Sequence, residues 1–340
     1  MAITTYDFAI FGSTPFAAIL AGCLARQGKR VLRVGSRASP QRLLRRIDLA
    51  LPIATRPGTW DVLMRGVPEI RALLQAMGAP DSFVPASVRI DHDTEAGRAF
   101  AGHMVHTALA FGLKPARRRN SMLWRSVGMV RAERAEDKIA DWLAAAGVRS
   151  IDPHEVRLSF GASDATLLAG PDGDIAAGLV VLAEDAAILE LPADLRPSIL
   201  QSEELTTTLV AKVRPFSEPI VLFPERGVSL LQRDDGSVLA LVSGSADLEA
   251  RLASAFPGPF PIARLATGRT HHLESIDGAP LIGALGHAGL FAVAGLGNAA
   301  VFFAPALARH LTGTATPAEA EWCSAHDPAR PRDDVTEALS

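Results

Sequence analysis

The residues best suited to chemistry near the N-terminus lie in the segment FAIFGSTPFAAILAG, in which an apolar run ends at Gly12. Glycine permits a tight turn at that place. The hydroxyls of Ser13 and Thr14 can bond phosphate oxygens at the start of a helix, where free N–H groups attract anions. Pro15 suits the first helical position but lacks an amide donor. We interpret this stretch as a phosphate-binding turn in which Thr14 and Ala17 replace the second and third glycines of G-x-G-x-x-G.

A second turn with similar chemistry lies in the segment GLFAVAGLGNAAVFFAPALARHLTG. Gly295 and Gly297 allow the backbone to approach a flat ligand closely. The helix that is predicted to follow Asn298 offers free N–H groups and the positive end of its dipole. The pattern therefore indicates a strand, a glycine-rich turn and a helix that together could face a ligand with negative charge.

The elements around the first turn must hold it against a sheet. The apolar run Tyr6–Phe11 predicts a buried strand, Pro15–Gln27 a helix that stops at Gly28, and Lys29–Gly35 a second strand. A strand–helix–strand unit of this length predicts parallel pairing with a right-handed crossover. Further helices are predicted from Arg56 to Met77 and from Met129 to Val148.

The remaining pattern divides the chain into two interleaved domains. A buried strand is predicted at Leu179–Ala183, and residues 206–242 alternate as antiparallel strands do, with the hairpin turn RDDGS between the last two. The expected fold class is α/β: a Rossmann-like domain with a parallel sheet, formed by residues 1–80, 125–200 and 265–315, and an inserted antiparallel-sheet domain, formed by residues 81–124 and 201–264. A polar, flexible tail is expected over residues 326–340.

Composition excludes several classes of function. The formal net charge of −3 over 340 residues gives no reason to expect a nucleic-acid partner. Two cysteines without metal-ligand spacing, and no segment resembling a signal peptide, favour a cytoplasmic protein. His103 and His106 lack an evident third ligand, so no metal site is predicted. The uncharged run 278–308 is long enough for a membrane span, but its glycines and Pro305 favour a buried strand, turn and helix.

The chain resembles the FAD-dependent D-amino-acid oxidase, glycine oxidase and sarcosine oxidase family. The resemblance rests on ESIDGAPLIG (Glu274–Gly283), followed by LFAVAGLGNAAVFFAPALARHL (Leu290–Leu311), and on the hairpin inserted before them. It covers most of the chain and is weakest at residues 40–110. It implies an FAD-binding domain, a substrate domain and oxidation of an amine or amino acid. It also implies that Asn298, Ala299 and Ala300 face the flavin pyrimidine ring.

Several motifs depart from the family pattern on the adenosine side. The place of the ribose-binding glutamate is taken by Gly35, followed by Ser36 and Arg37, and the alanine-glycine turn after the third strand reads Ala183–Asp185. The arginines nearby could hold the pyrophosphate instead, since guanidinium groups bind phosphate well. The residues expected to contact the cofactor are therefore Gly12, Ser13, Thr14, Pro15, Gly35, Ser36, Arg37, Arg42, Arg45, Arg46, Ala183, Gly283, Gly295, Gly297, Asn298, Ala299 and Ala300.

The substrate side also differs from the family. Its carboxylate-binding arginine is replaced at the same spacing by His272, while the nearest arginine is Arg269. These two residues are the catalytic-site candidates. The only tyrosine is Tyr6, in the first strand, so no tyrosine is available over a flavin. Cys323 lies near the end of the matching region and could attach the flavin covalently.

Three functions remain open at this stage. The first is an FAD-dependent oxidoreductase that oxidises the C–N bond of a small amine or amino acid by hydride transfer to flavin N5. The second is a flavoprotein subunit or maturation factor with a partner subunit in a hetero-oligomer. The third is a binding module that has lost FAD. Oxygen and a partner protein both remain possible electron acceptors for the enzyme.

Overall fold

The computed structural model describes residues 4–36, 47–51, 57–160, 166–170, 173–211, 215–244, 248–255, 263–286 and 289–330. These residues form two compact units. The first unit takes its residues from Met1–Phe83, Val130–Gln201 and Leu273–Glu337. The second takes them from Val84–Met129 and Ser202–His272. The arginines Arg37, Arg42, Arg45 and Arg46 lie outside the described residues.

Helices and strands alternate through the first unit and strands dominate the second. The helices are α1 Pro15–Arg26, α2 Pro57–Ala76, α3 Glu95–Ala110, α4 Ala132–Ala145, α5 Asp185–Leu189, α6 Leu248–Ala255, α7 Ala300–Leu311 and α8 Pro317–Ser324. The strands are β1 Thr4–Phe11, β2 Val31–Val34, β3 Ile47–Leu49, β4 Phe83–Asp91, β5 Ala116–Arg118, β6 Ser121–Arg131, β7 Arg149–Ile151, β8 Arg157–Phe160, β9 Thr166–Gly170, β10 Gly173–Leu182, β11 Leu200–Val210, β12 Ile220–Phe223, β13 Val228–Gln232, β14 Val238–Ser243, β15 Arg264–Ser275, β16 Leu281–Ala284 and β17 Leu290–Ala294.

The sheet of the first unit has the strand order β16-β17-β10-β1-β2-β7. Strands β17, β10, β1, β2 and β7 run parallel to one another. Antiparallel strands flank them, since β16 pairs with β17 and β9 with β10. The predicted strand–helix–strand unit is therefore present as β1, α1 and β2. The expected fold class, a Rossmann-like parallel sheet with a second, largely antiparallel sheet, is confirmed.

Both faces of this parallel sheet are buried, which explains why its strands are apolar without alternation. On one face Phe8 and Ile10 join the core that α1, α2, α4 and α7 cover. On the other face Ala9, Leu32 and Val34 join a second core. Successive side chains of a strand point to opposite faces. Arg33 therefore belongs to the face that α1 and α4 cover, a placement that bears on the site below.

Helix α1 begins where its sequence predicts. The Thr14 hydroxyl accepts a hydrogen bond from the Ala17 amide, and Pro15 fills the first helical position. Over Ala300–Ala308 helix α7 is apolar on all sides and buried, and the helix packs against α1 and α2. No helix in the described part of the chain is both long and apolar enough to cross a bilayer. The uncharged run is instead divided among β16, β17, the glycine turn and α7.

The predicted helix over 129–148 begins later than expected, at Ala132. The first three of those residues end β6, in which Met129 and Val130 are both buried. Pairing in the sheet overrides the helical pattern there. Gly147, with a φ of 75°, follows the helix as predicted.

The second unit contains the inserted, largely antiparallel sheet. Its strands follow the order β15-β11-β14-β13-β12-β4-β6. The hairpin of β13 and β14 turns at the predicted RDDGS segment. Helix α6 packs on these two strands, and Leu252 and Ala255 join their core.

Residues 326–330, which the sequence places at the start of a flexible tail, are instead packed against β16. His326 is buried, and its backbone carbonyl accepts a hydrogen bond from the Ile282 amide over 2.8 Å. The Arg330 guanidinium donates two hydrogen bonds of 2.8 Å to the Asp277 carboxylate. The tail sequence is polar and gives no sign that Arg330 pairs with Asp277. The expectation of a flexible segment is therefore wrong for these five residues. Residues 331–340 lie outside the described part of the chain.

The Asp277 carboxylate is expected to make folding sensitive to acid. Burial by itself would raise the pKa of Asp277, but hydrogen bonds from Arg330, Ser275 and the Ala279 amide hold it well below its usual range. The unfolded chain therefore binds more protons at low pH than the folded chain does. The stabilisation that Asp277 contributes is present above the ordinary aspartate pKa of about 4 and is lost as the pH falls below that value. We expect the free energy of unfolding, measured in urea between pH 5 and 2, to fall more steeply with acidification than in Asp277→Asn. Equal slopes would contradict this assignment.

Candidate functional site

The carboxyl ends of three parallel strands meet at the predicted phosphate-binding turn. The Gly12 amide donates to the Val34 carbonyl over 2.9 Å, and the Ala183 amide donates to the Phe11 carbonyl over 2.8 Å. Ligands of open α/β sheets bind outside this edge of the strands. The structure thus brings together Gly12, Gly35 and Ala183, three of the residues that the sequence assigned to cofactor binding.

Glycine is required at two of these positions because neighbouring atoms lie too close to leave room for a Cβ. A Cβ on Gly12 would lie 2.6 Å from the Ala17 Cβ, and a Cβ on Gly35 would lie 2.2 Å from the Gly12 carbonyl oxygen. The end of β2 therefore packs directly against the β1–α1 turn. A side chain at position 35, acidic or not, has no room there.

The hydroxyls in the turn organise the backbone around it. The Ser13 Oγ accepts from the Ser36 amide over 3.1 Å, which links the turn to the end of β2. The Thr14 Oγ accepts from the Ala17 amide over 3.4 Å and caps α1. Both side chains are buried, at 4% exposure. Pro15 follows them at the first position of α1.

The N-terminal end of α1 also carries a carboxylate from the chain itself. Glu184, which directly follows Ala183 after β10, accepts a hydrogen bond from the Ser13 amide. Its side chain is buried, with 6% exposure. A buried carboxylate needs hydrogen bonds and positive potential, and the start of a helix supplies both. Glu184 thus uses the donor and dipole that a phosphate would use in a dinucleotide-binding domain.

The C-terminal glycine turn has a comparable feature. Gly295 and Gly297 adopt φ values of 71° and 52°, which favour glycine, and the short turn Gly297–Ala299 leads into α7. The Val301 amide in the first turn of α7 donates to the Asp48 carboxylate over 3.4 Å. Asp48, on β3, is buried at 6% exposure. A second helix start therefore also faces a carboxylate of the protein.

The residues at the β1–α1 turn do not fit the pyrophosphate and ribose of FAD. A carboxylate, Glu184, faces the helix start, and Thr14 stands where a glycine would let the pyrophosphate approach. No acid occupies the end of β2, and Gly35 leaves no room for one. The glycine turn before α7 has the backbone form that suits a flat ring, but the Asp48 carboxylate lies at its helix.

A cavity lies beside the β1–α1 turn, between α1, β2, α4 and β7. It encloses about 440 Å³. Its wall includes Ser13, Thr14, Arg33 and Gly35, together with one face of α4 from Ala132 to Ala144. The Arg33 guanidinium covers Gly35, because its Nη2 lies 2.9 Å from the place that a Cβ of Gly35 would take.

The two catalytic-site candidates lie on β15 in the second unit. Arg269 has 69% of its side chain exposed, and its Nη1 lies 3.9 Å from an oxygen of Glu204, which is itself 26% exposed. His272 is half-buried, while its neighbour His271 bonds the Ser202 hydroxyl over 3.1 Å. Their roles toward a substrate stay predictions.

Gly283, another predicted cofactor contact, lies on β16. A Cβ at this position would lie 2.3 Å from Pro328 Cδ and 2.8 Å from an Asp327 oxygen. The close approach at Gly283 is therefore made by residues 326–330. Asn298 is exposed, while Ala299 and Ala300 are buried at the start of α7. No group of three His, Cys, Asp or Glu side chains within the described ranges is arranged to hold a metal ion.

The thiol of Cys323 is expected to be unreactive. It is 1% exposed and lies in the core beside Trp322, and burial raises its pKa to about 12. Only the thiolate is a good nucleophile. In the native protein at pH 8 we expect no alkylation of Cys323 by iodoacetamide within an hour, and rapid alkylation in urea, as read by mass spectrometry. Fast native labelling would contradict this and restore Cys323 as a candidate for covalent attachment.

Three charged residues at or near the two helix starts, Arg33, Asp48 and Glu184, have no role that the sequence predicts. Glu184 and Arg33 each interrupt or end an apolar strand, and Asp48 lies in a segment with no clear pattern. A charged residue within a buried strand is itself a signal, since such residues are rarely buried without a partner. That signal was present in KRVLRVG and VVLAED, but neither segment revealed which group each charge meets.

The overall fold matches solved structures along nearly its whole length. L-proline dehydrogenase from P. horikoshii aligns with a TM-score of 0.76 and 15% identity over 96% of this chain and 98% of that one. Glycine oxidase from Geobacillus kaustophilus aligns with a TM-score of 0.72 and 17% identity over 92% and 96%. L-amino acid deaminase from Proteus vulgaris aligns with a TM-score of 0.69 and 14% identity over 93% and 95%.

Comparison by sequence gives no such match. No family model matches the chain, and no curated protein does. The structural likeness at 14–17% identity establishes a common fold and leaves the activity open. The chain therefore has the fold of the amino-acid oxidases and dehydrogenases of the D-amino-acid oxidase family, as its resemblance to that family predicted.

Proposed function

We propose that this chain is a binding protein that keeps the flavin-oxidoreductase fold and has replaced the nucleotide part of the FAD site by its own side chains. The observation that carries the proposal is the buried Glu184 carboxylate on the Ser13 amide. It corresponds to the third function that the sequence left open. A protein of this kind acts by holding a small molecule or as a subunit beside an active partner.

To bind at this turn, FAD would have to displace the Glu184 carboxylate from the Ser13 amide. A hydrogen bond to a charged group contributes about 1.5–3 kcal/mol, and the Glu184–Ser13 bond is of that kind. A carboxylate and a phosphate about 4 Å apart would also repel by roughly 4 kcal/mol at an effective dielectric constant near 20. Gly35 offers no acid to hold the ribose in return. These costs together amount to several orders of magnitude in affinity.

The test is a direct measurement of FAD binding by the full chain. We expect the purified protein to be colourless and calorimetric titration with FAD to show no binding at micromolar concentrations. Glu184→Gln keeps the shape of the side chain and removes its charge, so it should raise the affinity for FAD relative to the wild type. Glu190→Gln, on the exposed end of α5, is the matched control and should change nothing. A yellow wild-type protein that releases FAD on denaturation would overturn the proposal.

A second candidate function is FAD-dependent oxidation of the C–N bond of an amine or amino acid. It is favoured by the turn at Gly295 and Gly297, which leads a parallel strand into the buried helix α7. The solved structures with the same fold include oxidases and a dehydrogenase of amino acids. Turnover of amines or amino acids by the isolated chain, tested with oxygen and with artificial electron acceptors, would support this candidate over the first.

A further inference from the structure

A strongly basic segment of the second unit forms the hairpin of β5 and β6. Residues 96–132 contain no aspartate and no glutamate, although the whole chain carries a formal net charge of −3. Lysine and arginine occur seven times in the same stretch, and five of these cations lie between residues 114 and 125. The positive charge is therefore concentrated at this hairpin and is not a property of the whole chain.

The tip of the hairpin is held in place by two contacts. The Arg118 guanidinium lies 3.6 Å from a carboxylate oxygen of Glu218, whose side chain is only 6% exposed and whose other oxygen lies 3.5 Å from Arg89. The His92 amide donates a hydrogen bond to the Asn120 carbonyl over 3.0 Å. Arg118 thus already has an acidic partner, and the hairpin presents its other cations from an anchored backbone.

The other four cations of the hairpin have no such partner. Lys114, Arg117, Arg119 and Arg125 are exposed, and none of them forms an ion pair or a side-chain hydrogen bond with a residue that the structure describes. Like charges at neighbouring positions repel one another, and together they create a positive potential around the hairpin. These four side chains are available to a partner that brings negative charge.

The unpaired cations project from both faces of the hairpin. Arg125 lies two positions after Leu123, which is opposite Ala116 in β5. Successive side chains of a strand point to opposite faces, so Arg125 shares a face with Ala116 and Arg117 lies on the other face. All three residues of β5 are exposed. A flat partner, such as a membrane surface, could contact only one of these faces.

The outer edge of β5 is open to an added strand. Within the described part of the chain, β5 pairs with β6 alone. An edge strand presents unpaired N–H and C=O groups, to which an extended peptide can form hydrogen bonds. The side chains of an added strand alternate between the two faces, where the unpaired cations lie. Charged side chains on an edge also discourage pairing with a neutral strand, so these cations favour an acidic one.

We propose that the edge of β5 binds an extended acidic segment of a partner protein, which adds to the sheet as a further strand and pairs its carboxylates with Arg117, Arg119 and Arg125. Guanidinium groups bind carboxylates through paired hydrogen bonds. A single-stranded nucleic acid would need aromatic side chains for base stacking, whereas Trp124, the aromatic residue of the hairpin, is buried at 4% exposure. The inference goes beyond the proposed function, because it concerns a surface of the second unit.

The experiment is a fluorescence-anisotropy titration of the full chain with labelled octaglutamate at low ionic strength, where exposed charges are little screened. An octaglutamate of alternating L and D residues has the same charge but cannot form a regular strand, so it should bind at least about tenfold more weakly. Bound octaglutamate should also slow hydrogen exchange at amides of β5, because strand addition bonds them. Equal binding of the two peptides, or binding of neither, would overturn the proposal.

A double variant tests the arginines of the hairpin. Arg117→Gln combined with Arg119→Gln should weaken octaglutamate binding by about tenfold, since it removes two cations of the site. Both residues are exposed and unpaired, so thermal unfolding of this variant should match the wild type. Arg65→Gln with Arg264→Gln is the matched control, because it removes the same charge on α2 and β15, where the side chains are 50% and 41% exposed. Equal weakening by both double variants would mean that binding follows net charge alone and would refute the site.

Other polyanions distinguish a strand site from a general basic surface. An oligothymidylate of similar length and vesicles that contain an anionic phospholipid should each bind at least about tenfold more weakly than octaglutamate in the same buffer. Tighter binding of either would reassign the surface to nucleic acid or membrane and overturn the proposal. The FAD titration tests the β1–α1 turn of the first unit, so a failure of the proposed function and a failure of this inference appear in separate measurements.

Discussion

Replacing Arg309 by methionine is expected to lower the free energy of unfolding by about 3 kcal/mol, a typical cost of removing one partner from a buried ion pair. Arg309, on α7, donates to Glu69 on α2 over 2.7 and 3.0 Å. It also binds Glu319 on α8 through two nitrogens, one of them over 3.1 Å. Methionine has a similar apolar stem but leaves both carboxylates without their cation. Chemical denaturation at pH 7 measures the effect.

The burial of Glu319 sets the size of this effect. Its side chain is 3% exposed, whereas that of Glu69 is 37% exposed. Burial by itself would raise the pKa of Glu319, but the hydrogen bond from Arg309, with further help from Thr316, lowers it below its usual value. A lowered folded-state pKa gives stability that is present above the unfolded pKa of about 4.3 and is lost as the pH falls through the folded value. Arg309→Met should therefore also flatten the loss of stability on acidification.

Two further variants separate the ion pair from packing. Arg65→Met removes an exposed pair with Asp61, whose side chains are 50% and 39% exposed, and should cost less than about 1 kcal/mol. The double variant Arg309→Met with Glu319→Gln removes the buried unpaired charge and should regain part of the lost stability. A cost for Arg309→Met no larger than that for Arg65→Met would mean that the three helices do not depend on this arginine.

The sequence predicts the backbone of the first unit well because its signals are local. An apolar run before Gly12, a proline at the first helical position and a glycine after the helix identify β1, α1 and β2 without tertiary information. The switch to alternation after Thr206 likewise identifies the second sheet. The helix expected from Met129 shows the limit, since its first residues complete β6.

The candidate site could be predicted only in part, since its charges are placed by tertiary contacts. Glu184 meets Ser13 across 171 positions of sequence, and Asp48 meets Val301 across 253. No periodicity encodes such pairs. The sequence shows that the end of β2 lacks the acid that binds ribose in dinucleotide-binding domains. Only the structure shows that Gly35 lies against the Gly12 carbonyl. An acidic side chain at position 35 is therefore excluded by the backbone geometry and is not merely missing from the sequence.

Because the backbone leaves no room at position 35, Gly35→Glu is expected to lower the stability of the protein strongly. By sequence alone this substitution restores the acid that a dinucleotide-binding domain uses for ribose. In the structure its Cβ would lie 2.2 Å from the Gly12 carbonyl oxygen and 2.9 Å from the Arg33 guanidinium. The contact with Gly12 is between backbones, so the turn or the end of β2 must shift. We expect a loss of about 3 kcal/mol or more in the free energy of unfolding, toward the upper end of overpacking effects, and no gain in FAD binding.

The cause of that loss can be isolated with two other substitutions. Gly35→Ala introduces the same Cβ without a charge and should account for most of the destabilisation. Gly102→Glu places the same side chain on α3, where a Cβ would meet nothing within 4 Å, and should change stability by less than about 1 kcal/mol. If Gly35→Glu instead folds normally and binds FAD, then the turn yields easily and Glu184 alone keeps the nucleotide out. If it unfolds while Glu184→Gln gains affinity for FAD, the missing acid and the internal carboxylate are two separate barriers, one set by backbone packing and the other by charge.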